Sequence, residues 1–127
     1  MITIQKCTFE YISTFSALAR RERVIIDPTP NAIWWCIKFN GVLIGCASLL
    51  PIGTTARFRA LWLDPRYRGN GFGNKLCDAR LEYAVEHKFK KITAFLTKQG
   101  HRKWYEQNGF GFFGERNGIV FVSKELK

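Results

Sequence analysis

The stretch Arg68-Gly69-Asn70-Gly71-Phe72-Gly73 constrains this chain more than any other. It lies between an apolar run ending Ala60-Leu61-Trp62-Leu63-Asp64-Pro65 and a helix-like run beginning Asn74-Lys75-Leu76. A strand, a glycine-rich turn and a helix N-terminus, in that order, make an anion site. The glycines let backbone approach a ligand, several N–H groups converge, and the helix dipole presents its positive end. The expected ligand carries phosphate. Two familiar glycine spacings do not fit. The dinucleotide pattern G-x-G-x-x-G meets Asn74 where its third glycine would stand. The P-loop pattern G-x-x-x-x-G-K-[ST] finds neither its glycine nor its hydroxyl around Asn74-Lys75-Leu76. The spacing present is R-x-x-G-x-G, on Arg68, Gly71 and Gly73.

The rest of the chain alternates strands and helices without repeats, low-complexity tracts or linkers, so residues 1–127 are read as a single domain. Residues 2–7 form a first strand. Phe9, Ile12, Phe15, Leu18 and Ala19 follow a helical period over Phe9 to Arg23, closed by Arg20, Arg21 and Arg23 where the dipole favours cations. Asp27-Pro28-Thr29-Pro30-Asn31 then breaks regular structure. Strands over Ile33–Phe39 and Val42–Leu50 flank Asn40-Gly41, the strongest short hairpin signal. After a turn at residues 51–55 comes a strand over Ala56–Asp64, and after the glycine loop a helix to about His87 with Leu76, Cys77, Leu81, Ala84 and Val85 at helical spacing. A strand over Lys91–Thr97, a short helix over Gly100–Asn108 stopped by Gly109, and strands over Phe110–Phe113 and Ile119–Ser123 complete the order β-α-β-β-β-α-β-α-β-β.

Twenty Lys and Arg against ten Asp and Glu give a formal charge of +10, which favours phosphorylated ligands or a nucleic-acid partner over neutral ones, ordinary solubility being the plainer use. No apolar run approaches the roughly 18 residues of a membrane span, and the start lacks a basic-then-apolar leader, so a cytoplasmic protein is expected. Cys7, Cys36, Cys46 and Cys77 show no C-x-x-C spacing and are read as reduced, packed thiols, with two disulfides as the alternative. No metal site is expected, since only His87 and His101 could complete one.

With its hairpin, its strand, the loop Arg66 to Gly73 and the following helix, the chain resembles the GNAT family of N-acetyltransferases over nearly its whole length. A second block agrees: Trp104-Tyr105-Glu106-Gln107-Asn108-Gly109-Phe110 is similar to the family's aromatic-Tyr-Glu stretch ending Gly-Phe. The resemblance implies an α/β (α+β) fold built on a mixed, mostly antiparallel sheet of six to seven strands with flanking helices. It implies acetyl-CoA, or another acyl-CoA, as cofactor. The amides of Arg68, Gly69, Asn70, Gly71, Phe72, Gly73 and Asn74 would hold its pyrophosphate, and the splayed strand at Leu61, Trp62 and Leu63 would pair with its pantetheine arm. A backbone N–H near Leu63 would stabilise the developing oxyanion, and Tyr105 would protonate the departing sulfur. The alternatives are a tight strand–helix turn with no ligand and a tyrosine packed under the final strands.

Two departures stand out. The strand before the loop reads Ala56-Arg57-Phe58-Arg59-Ala60, with no carboxylate where many relatives carry a glutamate base. Lys98 occupies the position, seven before the tyrosine, where many carry a pantetheine-binding Asn. His101, Glu22 and Asp27 are weak candidates for the missing base. Arg57 and Arg59 share one strand face. If that face borders the acceptor it would draw an anionic or phosphate-bearing amine, a nucleobase included; if it faces outward both are simply solvated. Arg21 and Arg23 could touch phosphates at the lip, and Trp34 or Trp35 could offer a stacking surface, the other being core. The reading is an N-acyltransferase. Its alternatives are a nucleic-acid base-modifying enzyme of the type phages use, or a non-catalytic basic module that binds nucleic acid. The final hairpin leaves an edge through which a homodimer could form.

Overall fold

The computed structural model describes residues 1–97 and 101–127. Seven strands form one sheet: β1 (Ile2–Cys7), β2 (Ile33–Phe39), β3 (Val42–Ile52), β4 (Thr55–Leu63), β5 (Lys91–Leu96), β6 (Gly111–Arg116) and β7 (Ile119–Glu125). Their spatial order is β1-β2-β3-β4-β5-β7-β6. Every pairing is antiparallel except β4 with β5, which the crossover through α3 (Phe72–Glu86) makes parallel.

Turn chemistry sets the hairpins. Asn40 and Gly41 both take positive φ (49° and 81°), as a two-residue turn matched to strand twist requires. Asn117-Gly118 repeats the device, so β6 runs to Arg116 rather than ending at Phe113, and a bulge between Phe112 and Glu115 absorbs Gly114. The segment expected as one helix over Phe9–Arg23 is broken. α1 (Phe9–Ile12) passes through a 3₁₀ turn at Ser13–Phe15 into α2 (Ser16–Arg21). The Ser13 hydroxyl donates back to the Glu10 carbonyl at 2.9 Å and competes with the helical ladder. The tighter turn shifts the helical phase, leaving Leu18 48% exposed while Ile12, Phe15 and Ala19 are buried.

Helices cover both faces of the sheet. Ile12, Phe15, Ala19 and Ile26 pack on Trp34, Cys36, Cys46 and Trp62. On the other face, Leu76, Cys77 and Ala84 of α3, with Trp104 and Tyr105 of α4 (Arg102–Gln107), pack on Trp35, Ile37, Leu49, Phe58, Ile92 and Val122. Trp34 and Trp35 therefore point to opposite faces, and both are core. All four cysteines are free thiols.

The feature that shapes the site is a fork in the sheet. Only Thr55–Phe58 of β4 pair with Lys91–Ala94 of β5. Beyond Phe58 the strands part, where the β3–β4 register shifts between Cys46 and Ser48 and Ala60 takes a left-handed φ of 54°. The bulge turns β4 away from β5 and leaves an open wedge.

Candidate active site

The wedge opens into a cleft of about 800 Å³, bounded by β4 from Arg57 to Leu63, the loop Arg68–Asn74, the end of β5, the segment Glu22–Ile25, and Arg80, His101 and Tyr105. The Asp64 N–H donates to the Ile44 carbonyl of β3 at 2.7 Å. Strand alternation then turns the amides of Leu63 and Leu61 away from β3, toward the side where no strand faces them.

At one end of the cleft the chain makes a cradle. Asp64 caps a 3₁₀ turn at Pro65–Tyr67, accepting from the Arg66 amide at 3.0 Å and from its guanidinium at 2.8 Å, and that guanidinium holds the carboxyl below the usual carboxylate range. Gly69 and Gly71 follow with φ of 85° and 79° and open space where a Cβ would sit. These are two positions where a side chain would strain the backbone and fill the approach to the first turn of α3. The cradle fits a pyrophosphate. Arg68 spans it: Nε donates to the Leu63 carbonyl at 2.9 Å, and the guanidinium meets the Glu22 carboxylate at 2.5 Å. Glu22 also accepts from Trp62 Nε1 at 2.9 Å, so one carboxylate joins α2's end, β4 and the loop.

Across the cleft stands Tyr105, 3% exposed, edge-on to Trp104 and Phe110 with centroids 5.0 and 4.9 Å apart. Burial pushes its phenol up to about 12, against the pull of the nearby Arg80 guanidinium, so it is a proton donor at neutral pH. His101 packs on Gly73 with its Nδ1 buried and without a partner among the described residues; burial first, then the charges of Arg80 and Arg68, push it down to about 4, and it is neutral at pH 7. At the other end, Arg57 lies 5.4 Å over the Phe95 ring with its Nε buried and without a partner among the described residues. Arg59 is tied to Thr29 at 2.9 Å and to Asp27 at 3.6 Å.

The structure thus brings Leu61, Trp62, Leu63, Arg68, Gly69, Gly71, Phe72, Gly73, Asn74 and Tyr105 to one cleft, with Arg23, Arg57, Arg59 and His101 on its walls. Asn70 turns its side-chain amide back onto the carbonyls of Tyr67 and Arg68, each at 3.4 Å; the part expected of it was that of its backbone N–H. Two expectations do not hold. Arg21 is exposed outside it, because the α2 phase is set by Ala19 beneath. Trp34 is buried under Phe9 at 5.9 Å between centroids and offers no stacking surface. Lys98 lies outside the described residues, as does the expected start of the short helix at Gly100. The sequence reading missed Arg80 and Phe95. Arg80 follows Leu76 and Cys77 at helical spacing, so a charge inside an apolar stripe was its signal.

Comparison with known proteins identifies the family. The acetyltransferase (GNAT) family model matches residues 1–110, and the chain belongs to that family. It is a GNAT-type N-acetyltransferase dependent on acetyl-CoA. No curated protein sequence matches it. Among solved structures, the IAA acetyltransferase from Bacillus cereus superimposes with a TM-score of 0.79 at 19% identity, covering 99% of this chain and 100% of that one. A GNAT family acetyltransferase from Elizabethkingia anophelis with acetyl-CoA bound gives 0.73 at 18% identity, covering 98% of each chain. The ribosomal-protein-S18-alanine N-acetyltransferase from Escherichia coli gives 0.80 at 15% identity, covering 98% of this chain and 94% of that one. At such identities the likeness is one of fold.

Proposed function

We propose that this protein acetylates an amine on an anionic acceptor, with the loop Arg68–Asn74 holding the cofactor's pyrophosphate, a Leu63-side amide facing the carbonyl oxygen, and Tyr105 acting as the acid. Acetyl-CoA, when bound, supplies an acyl carbon and a sulfur leaving group. Tyr105 would give its phenolic proton to that sulfur as the acceptor nitrogen bonds to the acyl carbon and the sulfur departs. The surplus proton of the new amide nitrogen restores the phenol. The observation that carries the acceptor class is Arg57, whose buried Nε has no partner among the described residues while its guanidinium lies over Phe95 at the cleft wall. The two candidate carboxylate bases are both engaged, Glu22 by Arg68 and Trp62, Asp27 by Arg59 and Thr29. An amine already neutral at pH 7 suits such a cleft better than a cationic one.

The test is acetyl transfer to a panel of amines, scored by thiol release and mass spectrometry. Phosphate- or carboxylate-bearing aromatic amines should outperform polyamines. Arg57→Gln should lower kcat/KM for the acceptor roughly 10- to 100-fold, the loss of a charged hydrogen bond, with acetyl-CoA affinity unchanged. Preference for polyamines would overturn the reading.

A second reading, acetylation of a base in single-stranded nucleic acid, is favoured by one observation. Phe95 at the cleft wall adjoins Phe121 at 5.2 Å, and Phe121 adjoins Phe113 at 6.3 Å, making an aromatic row away from the cleft with Phe95 and Phe113 exposed. Bases stack on such rows without sequence preference. Acetylation of an oligonucleotide that is lost when it is annealed to its complement would support this reading.

A further inference from the structure

Arg80 is the most buried charge in the molecule's described residues, 1% exposed, on the face of α3 that meets the fork. Its Nη1 donates at 3.1 Å to the carbonyls of both Ser48 and Arg59, and its Nη2 lies 3.5 Å from the Cys77 sulfur. The guanidinium sits 4.4 Å over the Phe58 ring. Among the described residues no carboxylate pairs with it, and its Nε has no partner. A desolvated cation held only by carbonyls and a ring is expensive, and replacing it with an apolar side chain would ordinarily stabilise a core. Both carbonyls belong to the bulge, one on each strand, immediately below Ala60. The same guanidinium lines the cleft together with Tyr105, and its charge pulls the phenol down against the effect of burial.

We propose that Arg80 is a positioning residue with two tasks: it ties the bulge that forks β4 from β5, and it sets an uncompensated positive charge beside the Tyr105 hydroxyl, stabilising the negative charge left on that oxygen when its proton is given up. The second task rests on the reading of Tyr105 as the acid. The proton moves from the phenol oxygen to sulfur, and the phenolate so formed lies against Arg80 until the amide nitrogen's surplus proton returns. Among the described residues that act on the phenol, Cys77 is the other titratable one; burial raises its thiol and keeps it neutral, so Arg80 is the charge among them that acts.

Fluorine NMR on protein labelled with fluorotyrosine tests this without any cofactor present. The chain has four tyrosines, and Tyr105→Phe identifies the resonance. Arg80→Gln should move that resonance's titration to higher pH, a tenfold or greater fall in acidity, and Arg80→Lys, which keeps the charge, should stay close to wild type. In turnover, Arg80→Gln should lower kcat about tenfold or more with the KM for acetyl-CoA within about twofold, and should cause no further loss in a Tyr105→Phe background. An unchanged titration in Arg80→Gln, or a lysine variant as perturbed as the glutamine one, overturns the proposal, as do equal losses in both backgrounds. If Arg80→Gln does not fold, Arg80→Met, which removes the charge but keeps an apolar side chain in the core, decides by the same titration. Full activity in Tyr105→Phe alone would remove the acid reading and with it the catalytic half of the proposal, whereas the titration still decides whether the charge acts on that phenol.

Discussion

His101 and Gly73 show how closely single atoms are set here. A Cβ on Gly73 would meet the imidazole, with its Nε2 and Nδ1 at 3.2 and 3.3 Å. Gly73 has an ordinary helical φ, so the obstacle is the ring and not the backbone. Gly73→Ala should push His101 off the loop and weaken acetyl-CoA binding about tenfold by calorimetry, with a loss of roughly 1–3 kcal/mol in folding stability. The buried imidazole also makes stability pH-dependent. Its pKa falls from 6.5 to about 4 on folding, so the unfolded chain binds more protons between those values. Stability is therefore full above about pH 6.5 and declines as pH falls toward 4, by a maximum on the order of 3 kcal/mol. Urea unfolding at a series of pH values should show that slope, and His101→Gln should flatten it. At this scale the sequence was only partly legible. Tyr105 and the loop glycines were readable because their spacing is specific. Trp34 was misplaced because alternation says that adjacent tryptophans face opposite ways, but not that both faces are covered.

α4 has six residues, too few to hold itself together, and three contacts outside its ladder fix it. Trp104 Nε1 donates to Asp78 of α3 at 2.8 Å, Asn108 Nδ2 donates to the Trp104 carbonyl at 2.8 Å, and Lys124 of β7 donates to the Asn108 carbonyl at 2.5 Å. Removing the acceptor strands a buried indole N–H. Asp78→Ala should cost about 1–3 kcal/mol in thermal or chemical unfolding, and should lower kcat more than it raises KM because α4 carries Tyr105. Legibility was uneven among elements too. Asn-Gly pairs announced both hairpins through the φ they demand. The break after α1 was hidden because Ser13 looks like any surface hydroxyl until its bond to Glu10 is seen. Ala60 carries no turn chemistry at all, so nothing at the bulge itself announces the opening of the cleft; the nearest signal is Arg80, a charge four residues after Leu76 in an apolar stripe, which bonds the bulge carbonyls.

Taken as a whole, the molecule is two half-sheets joined along Thr55–Phe58 and Lys91–Ala94, with the cleft where the joint ends. A ligand seated there touches both halves and binds only the folded chain. Acetyl-CoA at a hundredfold excess over its Kd should add about 2.7 kcal/mol and raise Tm by roughly 10 °C, which scanning fluorimetry can read. Arg57→Gln should leave that shift intact, since it stands at the acceptor end. A mixed, mostly antiparallel sheet of six to seven strands follows from the family resemblance, but the place of β7 between β5 and β6 does not follow from order along the chain. That place bears on how the protein is born. β1 is joined by the later β2–β4, which form by adjacent hairpins as the polypeptide emerges, so one wall of the cleft can be standing early. β5 then waits with one short seam to β4 until the last strand has been synthesised and threads in beside it, which makes closing of the second wall the slow, long-range step and the interval before it the time when the sheet is open to wrong partners.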